Sequence, residues 1–260
     1  MEGGSSLSIS KVMWRITLFK RHVLTLLFAL TALAALSQEQ TITTRPVIWL
    51  SATEKLVSHD RWKGSVNIQQ RQFLQSQGAF QTLASTTWLR RFSRLWAGGG
   101  FMFFYLRTPG TSGKMVGLPE LRSYEQLTID LSNARVAQWI RLLVEQRFQK
   151  RASAEGGITE DYHLNHRLRL KWQMSLPIIG TGERRRLLLV LSNEPMIGFG
   201  QDINGLTFDQ NRLVVSLEWA LTKNLKVGTG YMNWLFKRPV GTSYDIRHVW
   251  LVSLSHRITQ

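Results

Sequence analysis

The segment HRLRLKWQMSLPI, residues 166–178, alternates between polar and apolar side chains along its length. Arg167, Arg169 and Lys171 begin one parity, and the other parity is apolar after His166. Because successive side chains of a β-strand point to opposite faces, the pattern predicts a strand with one apolar and one cationic face. A helix of the same residues would have no single apolar stripe. The cationic face must therefore meet water or opposite charge, whichever way the strand is turned.

Similar alternation recurs along the chain. The clearest segments are 61–71, 138–149, 186–194 and 212–221, and weaker ones cover 43–54, 79–92, 95–107, 225–236 and 244–257. With 166–178 they predict an all-β fold of about ten strands, with twelve possible. Residues 118–133, LPELRSYEQLTIDLSN, predict a helix or an irregular excursion instead. After Leu36 no uncharged apolar run approaches the roughly 18 residues of a transmembrane helix.

The first 37 residues have the organisation of a targeting segment. Four basic residues precede VLTLLFALTALAAL, an uncharged apolar run over 23–36, and SQEQ follows it. The run is too short for a bilayer crossing of about 20 residues, but it fits the apolar region of a secretory signal. We expect residues 1–37 to be a cleaved signal peptide, with an uncleaved anchor as the alternative, and residues 38–260 to form the exported barrel domain. Met13 opens a more typical signal peptide than Met1, so a misassigned start is a further alternative.

The chain is strongly basic. Its formal net charge is +16, and four of its 33 Lys and Arg and one of its 17 Asp and Glu lie in residues 1–37, which leaves +13 for the remainder. In a cytosolic protein this excess would point to nucleic acid, whereas an exported chain meets lipid phosphates and lipopolysaccharide. Alternatively, the basic groups line a polar interior. The absence of cysteine excludes a disulfide scaffold, a lipoprotein anchor and cysteine-based metal sites.

The sequence predicts that connection lengths alternate in the C-terminal half. The pattern predicts longer connections at residues 150–161, 198–211 and 237–245, and tight turns at residues 180–183 and 222–224. Outer-membrane barrels have short periplasmic turns and longer extracellular loops. With an even number of strands and both termini in the periplasm, the tight turns would lie on the periplasmic side.

The two faces of the strands can be arranged in two ways. With the apolar faces inward, the chain would be a soluble periplasmic sandwich or lipocalin-like barrel. With the apolar faces outward, it would be an outer-membrane barrel whose wet interior holds charges of both signs. The strongest strands, at about ten to twelve residues, are long enough to cross an outer membrane at a tilt, which favours the outward arrangement. Large aromatic residues on the apolar faces favour it too.

We therefore predict a closed antiparallel up-and-down transmembrane β-barrel in the outer membrane. The predicted interior charges are Arg141, Glu145, Arg147, Arg167, Arg169, Lys171, Glu194, Arg212 and Glu218. The predicted lipid-facing residues are Leu168, Leu170, Trp172, Met174, Leu213, Val215, Leu217 and Trp219. The expected partners are outer-membrane lipids and lipopolysaccharide, and no nucleic acid.

Several runs resemble a known bacterial family. They are RLLVEQRF (141–148), HRLRLKW (166–172), LSNEPMIGF (191–199), FDQNRL (208–213) and VGTGYMNW (227–234). In these runs the chain resembles the family catalogued as domain of unknown function 2490, which is regarded as outer-membrane-barrel-like and has no established activity. The resemblance implies these characteristic polar positions: Arg141, Glu145, Arg147, Arg167, Arg169, Glu194, Asp209, Asn211 and Arg212. It implies no mechanism.

Catalytic chemistry has little support in the sequence. His248 and His256 share one face of a strand while Ser253 and Ser255 lie on the other, and no G-x-S-x-G motif occurs. Because no catalytic motif is present, we expect no enzyme activity. No histidine spacing suits a metal site, and we therefore expect no metal and no cofactor. The expected role is a structural or narrow, porin-like channel component of the cell envelope. The alternatives are an outer-membrane lipid-modifying hydrolase, which would need a Ser–His–carboxylate cluster, and a soluble periplasmic binding barrel, which would need an apolar cavity.

Overall fold

The computed structural model describes residues 42–58, 61–74, 80–109, 113–133, 135–153, 157–180, 186–237 and 243–258. The predicted signal peptide, residues 1–37, lies outside the described residues. The strands are β1 Ile42–Ser58, β2 Trp62–Phe73, β3 Phe80–Phe92, β4 Leu95–Pro109, β5 Met115–Asp130, β6 Ala137–Gln149, β7 His163–Ile179, β8 Leu187–Gly200, β9 Ile203–Ala220, β10 Leu225–Lys237 and β11 Tyr244–Arg257. None of the described residues forms a helix long and apolar enough to cross a membrane.

The eleven strands form one closed barrel in which strands that are consecutive in sequence are neighbours. Every consecutive pair, from β1–β2 to β10–β11, is antiparallel. The ring closes between β1 and β11, which run parallel, with Ile42 opposite Tyr244 and Lys55 opposite Arg257. The predicted closed up-and-down β-barrel is confirmed, with one parallel junction among antiparallel pairs.

The strand number is odd, which the sequence did not predict. In an up-and-down barrel with an odd number of strands, the last strand runs in the same direction as the first, so the two can pair only in parallel. The start of β1 and the end of β11 therefore lie at opposite ends of the barrel. The expectation of an even strand number with both termini at one end was wrong.

The additional strand is β5, within the region predicted as a helix or an excursion. That prediction for residues 118–133 was wrong, because residues 115–130 pair with β4 on one side and β6 on the other. The strand does alternate, but its inward positions carry the charges Glu120 and Arg122, both buried, while Leu121 and Leu127 are exposed on the outer face. Because of these charges and Pro119, the sequence pattern of residues 118–133 was not recognised as that of a strand.

One predicted loop was also wrong. Residues 201–202 alone join β8 to β9, so the segment 198–211 is a tight hairpin and part of two strands, not a long connection. Gly200 enters this hairpin with a φ of 137°, a conformation that glycine adopts without a side-chain clash. The hairpin lies at the same end of the barrel as the long 150–162 connection. Loop length therefore does not distinguish the two ends.

The outer face of the barrel is largely apolar. Phe101 is 72% exposed there and Trp250 is 56% exposed, and leucine, isoleucine and valine side chains are exposed on most of the strands. The inner face instead carries most of the buried charged groups. The barrel is therefore inverted relative to a soluble β-barrel, which places its apolar side chains inside.

A small apolar core does lie inside, next to the parallel junction. It consists of Val47, Trp49, Met232, Trp234 and Val249. These residues come from β1, β10 and β11, the junction strands and their neighbour. Since parallel pairing is slightly less stable per residue than antiparallel pairing, this buried cluster supports the weakest part of the ladder.

A pair of cysteines across the junction tests its direction. Ala52 lies opposite Leu254 in the parallel register, and the chain has no cysteine of its own. The double variant Ala52→Cys, Leu254→Cys should form a disulfide on oxidation, because paired strands bring their Cα atoms to about 5 Å. The disulfide is measured as a reductant-sensitive change in the gel mobility of the denatured chain.

The matched control is Ala52→Cys with Ile246→Cys, because Ile246 lies opposite Thr44 in this register. The control pair should remain reduced under the same conditions. Equal cross-linking of the two pairs, or cross-linking of the control alone, would contradict the parallel junction.

Candidate functional site: the charged lumen

The barrel surrounds a cavity of about 1880 Å³ that is lined by residues of all eleven strands. The basic residues that line it are Arg45, Arg71, Arg122, Arg141, Arg147, Lys150, Arg151, Arg167, Arg169, Lys171, Arg212, Lys237 and Arg247. The acidic residues that line it are Glu120, Glu194, Asp202, Asp209 and Glu218. Among the described residues, thirteen basic groups line the cavity against five acidic ones. The lumen is therefore cationic even when the buried carboxylates of Glu145 and Asp245 are added to the acidic groups.

Glu145, on β6, is the centre of an ion-pair network on the inner face. Its side chain is fully buried, and its carboxylate lies 2.6 Å from Arg169 Nη1, 3.4 Å from Arg122 Nη1 and 3.5 Å from Arg167 Nη1. The strand register contributes directly, since Glu145 is opposite Arg167 on β7. A buried carboxylate is tolerated only where opposite charges and hydrogen bonds replace its water, and three guanidinium groups do so here.

Glu194, on β8, forms a second centre. Arg141 Nη2 donates to its Oε1 at 2.6 Å, and Arg169 Nη2 donates to both oxygens at 2.9 Å. Arg212 Nη1 lies farther away, at 3.9 Å from Oε2. Arg169 thus binds Glu145 and Glu194 at once, and this one guanidinium links β6, β7 and β8.

A third centre, Glu120 on β5, escaped the sequence analysis. Its Oε1 accepts hydrogen bonds from Arg122 Nε at 2.8 Å and from Arg147 Nε at 2.6 Å. Arg167 also contacts Asp209 through Nε and Oδ2. Glu120 and Arg122 were missed because their segment was assigned to an excursion. Glu120, Arg122 and Tyr124 occupy every second position. This period of two is the signal that would have identified the strand.

The nine predicted interior residues all lie on the inner face. Seven of them take part in ion pairs: Arg141, Glu145, Arg147, Arg167, Arg169, Glu194 and Arg212. Lys171 and Glu218 line the cavity without an ion pair to any other described residue. The eight residues predicted to face lipid all lie on the outer parity. Those of β9 are exposed, and those of β7 are half-buried.

Opposite the ion pairs, next to the parallel junction, arginines stack on aromatic rings. Arg71 Cζ lies 3.5 Å from the centroid of the Trp49 ring, and Arg247 Cζ lies 4.1 Å from that of Phe236. The Trp49 and Trp234 rings lie 6.0 Å apart. Guanidinium groups stack favourably on aromatic faces. The lumen therefore has two sectors, one built from ion pairs and one from cation–π stacks.

The serine and histidine residues considered for catalysis lie on different faces. Ser253 lines the lumen, whereas His248 is hydrogen-bonded to Tyr231 on the outer face at 2.5 Å. His256 contacts Glu54, also on the outer face. Within the described ranges no group of three or more His, Cys, Asp or Glu side chains is arranged to hold a metal ion.

A family model matches residues 47–245, which run from β1 to the start of β11. The chain belongs to the family of proteins of unknown function catalogued as DUF2490. The resemblance inferred from the sequence is thereby confirmed. The chain matches no curated protein and no solved structure. Of the further polar positions that the resemblance implied, Asp209 contacts Arg167, and Asn211 lies on the outer parity of β9.

Loss of the central carboxylate should destabilise the barrel. Glu145→Gln leaves Arg122, Arg167 and Arg169 facing one another without their shared anion. Breaking a buried ion pair by removing one partner typically costs about 3–5 kcal/mol, and we expect a loss of this size in the free energy of unfolding. Urea titration of the folded protein measures it.

Glu218→Gln provides the matched control, because Glu218 lines the same lumen without an ion pair among the described residues. Its effect should stay below about 1 kcal/mol, the usual range for an unpaired, half-exposed site. Equal losses in the two variants would show that Glu145 has no special role in the network.

Proposed function

We propose that the protein is an outer-membrane β-barrel that spans the bilayer and has a structural or narrow-channel role in the cell envelope. The observation that carries the proposal is the inverted distribution of the side chains. Glu145, Glu194 and their arginines lie inside, while exposed apolar side chains such as Phe101, Leu213 and Trp250 cover the outer face. The proposed structural or channel role includes no enzyme activity.

The apolar outer face supports a lipid environment. Soluble monomers rarely expose contiguous apolar surface of more than a few hundred Å². Here exposed apolar side chains recur on successive strands around the barrel, for example Ile68 on β2, Leu121 on β5, Leu213 on β9 and Leu254 on β11. Contact with lipid removes the cost of hydrating this surface.

The strand lengths also support it. The shortest strand, β2, has 12 residues and the longest, β9, has 18. At a tilt of about 40° and a rise of about 3.3 Å per residue, 12 residues span roughly 30 Å along the barrel axis. The apolar band of an outer-membrane barrel is about 25 Å tall, so every strand is long enough to cross it.

Most charged groups on the outer face lie near strand ends, as Glu54, Arg90 and Arg107 do. Glu125 lies farther from an end, and its carboxylate accepts a hydrogen bond of 2.8 Å from Gln146 Nε2. Other outward polar groups also bind one another; Trp250 Nε1, for example, donates to Thr229 Oγ1 at 2.8 Å. Such pairing lowers the cost of polar groups at a lipid-facing surface.

The lumen supports a narrow passage at most. Eleven strands about 4.8 Å apart, tilted by about 40°, give a barrel roughly 22 Å across between backbones. Barrels of about eight strands are just filled by their side chains. The ion-pair network fills much of the extra width and leaves the cavity of about 1880 Å³. The cationic lining also argues against the alternative of a soluble barrel with an apolar cavity.

Basic residues at one end suit anionic lipid. Arg61, Arg91 and Arg94 lie together where the β1–β2 and β3–β4 turns meet, and the backbone of Arg91 donates to that of Arg61 at 2.8 Å. We propose that this cluster contacts the phosphates of outer-membrane lipid or lipopolysaccharide, since arginine binds phosphate through two parallel hydrogen bonds.

The proposal is tested on the full chain folded into detergent and then into lipid vesicles. A closed membrane barrel migrates faster on a gel before boiling than after it, and floats with the vesicles through a density gradient. A monomer that folds in buffer without detergent, shows no such shift and stays in the aqueous fraction would overturn the proposal. Conductance across a planar bilayer would then separate a channel from a purely structural barrel.

A charge on the outer face provides a second test. Leu213 lies near the middle of β9 and is 49% exposed, whereas Leu221 follows the end of β9 and is 54% exposed. Leu213→Arg should destabilise the vesicle-inserted barrel by about 2–4 kcal/mol, because arginine is costly at the bilayer midplane. Leu221→Arg should cost less than about 1 kcal/mol, because it lies near the interface.

Both variants are unfolded with denaturant from vesicles, with tryptophan fluorescence as the signal. A soluble barrel would present both leucines to water, and arginine would then be tolerated equally at the two sites. Equal stability of the two variants would therefore contradict a membrane location.

A further inference from the structure

Arg71, on β2, is a lumen cation with no carboxylate partner among the described residues. It is 7% exposed and lines the cavity. Its Nη1 donates to Gln81 at 3.2 Å and its Nη2 to Gln69 at 2.8 Å, and both partners are neutral amides. Its Nε is buried without a hydrogen-bond partner in the described part of the chain. No described carboxylate therefore compensates the positive charge of Arg71 inside the barrel.

Arg212, on β9, has a similar environment next to the same aromatic rings. Its Nη2 donates to the Gln210 amide oxygen at 3.0 Å, and its Nε is also buried, with no hydrogen-bond partner among the residues that the structure describes. The nearest carboxylate, Glu194, lies at 3.9 Å, beyond hydrogen-bond distance, and is already bound at close range by Arg141 and Arg169. Its charge is thus only weakly compensated.

The same two indole rings hold both arginines. Arg71 Cζ lies 3.5 Å and Arg212 Cζ 5.2 Å from the Trp49 ring centroid, so the two guanidinium carbons are at most 8.7 Å apart, the sum of these distances. Trp234 lies 5.5 Å from Arg71 and 4.9 Å from Arg212. The strand register places Arg71 opposite Trp49 and Arg212 opposite Trp234.

Two like charges fixed this close together repel each other in a partly desolvated lumen. An anion between them removes that repulsion and supplies acceptors for the free N–H groups. One phosphate or carboxylate that hydrogen-bonds to two guanidinium groups spans up to roughly 8 Å between their central carbons, given N–H···O distances of about 2.8 Å. The upper limit of 8.7 Å on the distance between Arg71 Cζ and Arg212 Cζ is close to this span.

We propose that Arg71 and Arg212 form an oxyanion-binding site in the lumen, which takes the phosphate or carboxylate group of a small solute. Trp49 and Trp234 hold the two guanidinium groups in place, and Gln69, Gln81 and Gln210 orient their donors. The site opens on the cavity, so a solute in the lumen has direct access to it. The proposal concerns ligand chemistry and holds whether or not the barrel conducts.

The test is a titration of the folded full chain with inorganic phosphate at constant ionic strength, chloride being the balancing anion. Isothermal calorimetry and the thermal unfolding temperature are the two readouts. We expect saturable phosphate binding that stabilises the fold, and no saturation when chloride alone is varied. Acetate in place of phosphate distinguishes a carboxylate ligand from a phosphate ligand.

Arg71→Gln and Arg212→Gln should each weaken binding at least tenfold. Arg90→Gln is the matched control, because Arg90 is also stacked on an indole, 5.6 Å from the Trp62 ring, but is exposed on the outer face. It removes the same charge from the chain and should leave binding unchanged. Should a Gln variant fail to fold, Arg71→Lys and Arg212→Lys keep the charge but lose the fork of donors, and a weakening of several-fold is expected.

Three results would overturn the proposal: no saturable binding of either oxyanion, binding that chloride matches, or binding that survives the loss of Arg71 and Arg212. Each of them is independent of membrane insertion. If the barrel enters vesicles but binds no oxyanion, only the proposed oxyanion site is overturned. If the chain folds in buffer alone, the proposed membrane role is overturned. The same phosphate titration is then carried out without detergent.

Discussion

The paired binding of Glu145 and Glu194 by Arg169 is the interaction on which the inner face depends. A guanidinium at 2.6 Å from one carboxylate and 2.9 Å from the other neutralises charge that would otherwise be prohibitive inside the barrel. The network runs from β5 to β9 through alternate inward positions. Once this face is closed around its charges, the opposite face of each strand has to present its apolar side chains to the surroundings, and the whole barrel is inverted.

The network covers only part of the circumference. At the parallel junction of β1 and β11 the inner face is built from Trp49, Trp234 and their stacked arginines. The two sectors stabilise inward-facing arginines in different ways. Around Glu120, Glu145 and Glu194 the arginines form ion pairs. Arg71 is instead held by aromatic rings and amides, and its charge remains open to the lumen. This asymmetry makes the aromatic sector the part of the lumen that suits an anionic ligand.

Strand periodicity in the sequence predicted most of the fold. Ten of the eleven strands coincide with alternating segments, because the period of two is a local property of each segment. β5 was missed because Glu120 and Arg122 occupy its inward positions and make it look like a polar excursion. The parallel junction could not be predicted, since it follows from the number of strands and one missed strand reverses its direction. Parity placed Arg141, Glu145 and Glu194 on one face, but the partners of each charge depend on the register between strands. The aromatic sector was missed because Trp49 and Arg71 meet only through the β1–β2 pairing.

In the proposed membrane barrel, the charged face of each strand surrounds the lumen and the apolar face meets lipid. A single-cysteine scan of β9 in vesicle-inserted protein tests it most directly, because the chain has no cysteine of its own. Cysteines at Arg212, Val214 and Ser216 should react with a small water-soluble thiol reagent. Those at Leu213, Val215 and Leu217 should resist it and instead be quenched, when fluorescently labelled, by lipid carrying a quencher in its acyl chain. Reaction of the cysteines at Leu213, Val215 and Leu217 with the water-soluble reagent, without quenching by lipid, would contradict this arrangement.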